Sequence, residues 1–105
     1  MLTKEKIVDI LRRELPYLRE RYGVEKIAIF GSFAKGLQRK GSDVDILVEL
    51  KKPLGLDFVD LAYYLEEALN KVKVDVATFD CLKNSYKNLR YEHIAEDIEQ
   101  NLIYV

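Results

Sequence analysis

One stretch, residues 31 to 45, constrains this chain more than any other. Gly31-Ser32 ends the apolar run Ile27-Ala28-Ile29-Phe30, ten residues follow, and Asp43-Val44-Asp45 leads into a second apolar run, Ile46-Leu47-Val48. Short apolar runs bounded by turn residues read as buried strands. The turn and the acid pair are therefore each fixed to a strand end, and so to one sheet.

Side chains on a strand alternate faces, which puts Asp43 and Asp45 on one face with Val44 and Ile46 on the other. Two carboxylates about 6 to 7 Å apart along a strand repel each other, and a divalent cation makes that arrangement favourable. Hard oxygen donors favour magnesium or manganese, and magnesium is commonly held by one or two carboxylates plus substrate phosphates. At the turn, Gly31 permits positive φ and close backbone approach. Ser32 is expected to cap a short helix through Phe33-Ala34-Lys35, leaving backbone N–H groups facing an anion. Lys35, Arg39 and Lys40 add positive charge nearby. Alone, a Gly-Ser turn or an Asp-x-Asp is commonplace; joined at two strand ends, they describe a polyphosphate cradle facing a metal.

Gly31-Ser32, ten residues, then Asp43-Val44-Asp45 resembles the signature of the DNA-polymerase-β-type nucleotidyltransferase superfamily, and the chain is similar to its minimal branch, the MNT-domain antitoxins that partner HEPN-domain toxins. The resemblance runs from the helix before the first strand to Leu102-Ile103-Tyr104. It implies an α+β fold, a small mixed sheet with helices packed on one face. It also implies a third carboxylate on a neighbouring strand, and Asp75 in Val72-Lys73-Val74-Asp75-Val76-Ala77 supplies one. On that basis Asp43 and Asp45 are the catalytic pair, Asp43, Asp45 and Asp75 hold one or two Mg2+ ions, and Gly31, Ser32 and Lys35 bind the nucleotide.

With 105 residues the chain is expected to form one domain over residues 1–105. Lys and Arg number 17 against 18 for Asp and Glu, so no global basic field argues for direct nucleic-acid binding. The single cysteine, Cys81, excludes an internal disulfide and fits a reducing compartment. With no apolar stretch approaching about 18 residues and no signal-peptide pattern, the expected location is cytoplasmic, without a membrane.

In chain order, Ile7, Ile10, Leu11, Leu15 and Leu18 fall at helical spacing over residues 3 to 22, with Thr3 as N-cap and Gly23 past the end. Pro16 is expected to kink or divide that helix. The charges between these positions read as a solvated face. Strands are expected over Val24 to Phe30, Asp43 to Leu50 and Val72 to Phe79, with a loop over 37 to 42. A helix is expected from Asp57 to about Lys71, with Phe58, Leu61, Ala62, Leu65, Ala68 and Leu69 inward. Alternation along the third strand turns Asp75 away from the core. Residues 82 to 88 read as loop or short helix, Arg90 to Gln100 as a helix, and Leu102 to Val105 as a short final strand. His93, the only histidine, reads as a surface or partly packed residue, and Cys81 as a buried or incidental thiol.

The resemblance implies transfer of AMP from ATP to a tyrosine of a HEPN ribonuclease toxin, releasing diphosphate and neutralising the toxin. Two alternatives stand beside it. One is a binding module that occludes the toxin without catalysis; the other is transfer to a small molecule in a pocket completed by a partner subunit.

Overall fold

The computed structural model describes residues 3–39, 41, 43–79 and 102–105. The first helix, α1 (Lys4–Tyr22), starts where Thr3 accepts the Lys6 N–H at 3.3 Å and ends where Gly23 turns left-handed, its N–H donating to the Arg19 carbonyl at 3.1 Å. Ile7, Leu11, Leu15, Leu18 and Tyr22 recur on its buried stripe. Pro16 does not divide α1. It stands on the exposed side, as does Arg12, whose carbonyl loses its helical donor to the proline.

Strand β1 (Val24–Phe30) leads directly into the one-turn helix α2 (Gly31–Lys35), followed by β2 (Val44–Leu50), α3 (Asp57–Ala68), β3 (Val74–Thr78) and β4 (Ile103–Tyr104). The strands form a mixed sheet in the order β3-β2-β1-β4. Strand β2 runs antiparallel to β1 and parallel to β3, and β4 is antiparallel to β1. A parallel β2–β3 pair requires a crossover, which α3 supplies. The third strand is shorter than its sequence pattern, starting at Val74, where pairing with β2 begins.

Helices α1 and α3 share one face of the sheet. Leu61, Leu65 and Leu69 pack with Ile7, Leu11 and Leu18 over Ile27, Ile29, Ile46 and Val48. Each of these is at most 1 % exposed, and full burial of such a side chain stabilises the fold by roughly 1.5–3 kcal/mol. The helices also meet through polar contacts. The Tyr22 hydroxyl donates to Asp60 at 2.7 Å, the Tyr64 hydroxyl donates to Glu14, and Tyr17 stacks on Tyr64 at 4.9 Å. Helix α3 stops at Ala68, short of Lys71, because Asn70 (φ 61) and Lys71 (φ 64) turn left-handed and the Lys71 N–H closes onto the Glu66 carbonyl at 2.7 Å. The opposite face carries a smaller cluster, with Leu47 buried among Phe30, Ala77, Phe79 and Leu102. The helix expected over Arg90 to Gln100, together with Cys81 and His93, lies outside the described residues.

Candidate active site

The site lies where β1 ends and β2 and β3 begin. In the parallel pairing, Asp45 stands directly opposite Asp75, while Val44 pairs with Val74 and Ile46 with Val76. Val44, Ile46, Val74 and Val76 turn to the helix-covered core, so the two acids share the other face. Asp43, half-buried, immediately precedes β2, whose first residue is tied to β3 by the Val44 N–H donating to the Lys73 carbonyl at 2.9 Å.

On its other side Asp45 pairs with Phe30, the last residue of β1, and its carboxylate extends over Gly31. A Cβ added to Gly31 would overlap that carboxylate, with the Asp45 Cγ only 3.0 Å away, and Gly31 also holds φ +71. Two independent constraints thus exclude a side chain here: the left-handed backbone and the space taken by Asp45. The first and last residues of the fifteen-residue stretch are in contact.

Helix α2 opens at Gly31 with Phe30 as N-cap and no side-chain capping bond. Ser32 is therefore inside the helix and not its cap, because the strand feeds the helix without an intervening residue. The N–H groups of Gly31, Ser32 and Phe33 have no acceptor within the helix, as in any helical first turn. A five-residue helix carries little macrodipole, so these donors themselves are what such a turn offers an anion. Gly36 ends α2 in left-handed conformation, its N–H donating to the Phe33 carbonyl at 3.3 Å. Lys35 stands exposed in the last turn, one turn from Gly31, and Arg39 is exposed in the loop beyond; Lys40 lies outside the described residues.

Burial, then Asp75, then Asp43 push the Asp45 carboxyl up to about 6 from an ordinary 3.8. Both neighbours act by like-charge repulsion. Among the described residues, no three acidic, imidazole or thiol side chains converge into a ready-made metal cluster. Asp45 stands close enough to Asp75 and Asp43 to be repelled by both. They are hard oxygen donors of the type that hold magnesium or manganese.

Charge, and not depth, marks this site. An apolar hollow of about 490 Å3 lies at the other end of β2 between Leu50, Leu54 and Phe58 and includes none of the three acids. A groove of about 360 Å3 does reach the site, running between α3 and β3 past Val59, Tyr63 and Glu66 to Asp75. Val59, Tyr63 and Glu66 belong to no motif of the sequence; the signal for them is that two large apolar side chains sit on α3 outside its core stripe.

Residues 5–105 match the family described as the nucleotidyltransferase domain. The chain belongs to that family. A candidate protein adenylyltransferase of Methanocaldococcus jannaschii is 43% identical over 106 residues, covering all of both chains. The protein adenylyltransferase MntA of Thermococcus cleftensis is 40% identical over 106 residues, covering all of this chain and 98% of its own. Among solved structures, a candidate minimal nucleotidyltransferase superposes with a TM-score of 0.68 at 26% identity, covering 97% of this chain and 95% of its own. A toxin–antitoxin complex with AMP-PNP superposes with a TM-score of 0.51 at 32% identity, over 73% of this chain and 57% of that one. The mixed sheet with helices on one face is thus the minimal nucleotidyltransferase architecture, and the chain is a nucleotidyltransferase. Among the described residues, no helix is long and apolar enough to cross a membrane.

Proposed function

We propose that this nucleotidyltransferase is an antitoxin that transfers AMP from ATP to a tyrosine hydroxyl of a HEPN-domain ribonuclease toxin. The observation that carries the reading is the register that sets Asp45 opposite Asp75 beside Gly31. The relatives named as protein adenylyltransferases and the toxin–antitoxin complex with an ATP analogue support the donor and the class of acceptor.

Asp43, Asp45 and Asp75 fit a divalent cation because burial of Asp45 and the repulsion among the three acids, which together raise its carboxyl, are what such an ion offsets. Magnesium, when bound, supplies neutralisation of the triphosphate's negative charge and of charge developing on its leaving group. The N–H groups of Gly31 and Ser32 orient the β- and γ-phosphates. Asp43 and Asp45 would hold that ion over the sheet, beside the turn that receives the phosphates. The toxin tyrosine oxygen then forms a bond to the α-phosphorus, the bond from that phosphorus to the bridging oxygen of the β-phosphate breaks, and diphosphate leaves. Asp75, the most exposed of the three, takes up the tyrosine proton. Because this chemistry depends chiefly on positioning and charge neutralisation, two strand ends and a turn suffice to perform it.

The test is the intact mass of a co-purified HEPN toxin after incubation with this protein, ATP and magnesium. A gain of one or more AMP groups on a tyrosine is expected. An unchanged mass, with toxin activity still suppressed, would replace catalysis by occlusion.

A further inference from the structure

Helix α3 differs from α1 in what it leaves outside. Leu56, just before it, is 91% exposed, Val59 54% and Tyr63 64%. Their spacing of three and then four residues puts them on one stripe about two turns long. This stripe is distinct from the one through Leu61, Leu65 and Leu69 that enters the core. Val59 and Tyr63 of this outer stripe line the groove between α3 and β3, and the groove's far wall includes Asp75. The groove therefore leads from an exposed apolar helix face to the sheet edge at Asp75, around which that acid's side chain stands on the opposite face.

The groove has a sign. Its charged lining residues are Glu66 and Asp75, both acidic, and α3 from Asp57 to Ala68 contains four acids and no base. It also has a preference between occupants. Among the described residues β3 is an edge of the sheet, but its Val74 N–H is directed to the Glu66 carboxylate at 3.5 Å. An added strand would have to displace Glu66 before pairing with β3, whereas a helix uses side chains alone and leaves that contact in place.

We infer that the stripe of Leu56, Val59 and Tyr63, with the acidic groove running to Asp75, is where the acceptor protein docks, through an amphipathic helix whose apolar face is flanked by basic residues. The inference rests on the protein-acceptor reading above and adds the surface that presents the acceptor. A helix seated on two turns of α3 brings its carrier to the β3 side of the sheet, so the target hydroxyl approaches past Asp75, the acid positioned to receive its proton. Nucleotide and acceptor then enter from different sides, the triphosphate over Gly31 and the hydroxyl over β3.

The experiment uses the full chain with its co-purified HEPN toxin and compares wild type with Val59→Lys/Tyr63→Lys. Both positions are exposed, so the substitutions leave the core intact, and a thermal melt verifies this. Toxin affinity is measured by titration calorimetry in the presence of AMP-PNP, AMP-PNP affinity is measured without toxin, and AMP transfer is followed by intact mass. The expected result is toxin binding weakened at least tenfold, unchanged AMP-PNP affinity, and partial recovery when basic residues on the toxin's docking helix are changed to glutamate. Leu56→Ala, a milder truncation, is expected to weaken toxin binding severalfold. Unchanged toxin affinity in Val59→Lys/Tyr63→Lys would overturn the inference even where wild type transfers AMP. Weakened affinity with no AMP transfer by wild type would uphold the docking surface and remove the catalytic reading.

Discussion

Carboxylates are treated in opposite ways at two ends of this molecule. Between α1 and α3, Glu14 and Asp60 each accept a tyrosine hydroxyl, and Asp60 also lies 3.7 Å from Arg21. At the strand ends, Asp45 faces Asp75 and Asp43, and its charge is opposed by both. The helical side is organised for stability, since each acid there has a donor. The strand-end side sets acid against acid, which is the expected signature of a site completed by a ligand. Substitutions at the two ends should therefore separate activity from stability.

The largest expected effect is on activity. Asp43→Ala with Asp45→Ala should lower AMP transfer by on the order of 10³-fold or more, the scale of several kcal/mol of charge stabilisation, while the thermal midpoint does not fall. Intact-mass time courses and a melt check both halves. At the helical side, Leu61→Ala should destabilise the protein by about 2–5 kcal/mol in urea unfolding, because Leu61 is fully buried. Its transfer rate per folded molecule should be little changed.

Gly31→Ala couples the two ends of the comparison. The left-handed backbone alone makes it unfavourable by about 1–3 kcal/mol, and the overlap with Asp45 must move that carboxylate. A shift of about 1 Å in such a group is enough to cost about 10²-fold in rate. Transfer should therefore fall further than stability predicts.

How much of this was legible in the sequence follows the physics of each feature. Strand β1 has the bounds that the apolar run before Gly31 gives it, and the alternation around Asp75 placed that acid away from the core. Pairing was not legible: nothing in Val74-Asp75-Val76 states that this strand lies parallel to β2 with Asp75 opposite Asp45, and the third acid came from the family resemblance. The Gly31 reading was incomplete for the same reason. Its positive φ could be anticipated, but the carboxylate above it comes from fourteen residues later and depends on the β1–β2 register. Division of α1 at Pro16, one of the two outcomes expected there, does not occur: the proline stands on the exposed side of a helix whose opposite stripe is buried. The end of α3 is set by left-handed Asn70 and Lys71, neither of which is a glycine that would have marked it.

Two smaller effects sharpen the contrast. The Asp45 carboxyl is raised from 3.8 to about 6, so between these values the folded protein holds a proton that the unfolded chain has lost. Stability therefore falls as pH rises through that window, and the full penalty remains above it. Asp45→Asn should be more stable than wild type by about 1 kcal/mol near pH 8 without divalent ions, after allowing for solvent screening at a half-exposed group. It should lose this advantage below about pH 4, as urea titrations at the two pH values would show. Tyr64→Phe removes the donor to Glu14 and should cost about 1 kcal/mol, with no change in transfer.

The most direct measurement is an anomalous difference map from crystals grown with manganese and a non-hydrolysable ATP analogue. A peak within coordination distance of Asp43 and Asp45, with Asp75 facing it and the triphosphate lying over Gly31 and Ser32, is the predicted result. Manganese bound elsewhere, or a nucleotide seated away from these acids, would contradict the assignment of the strand ends as the catalytic site.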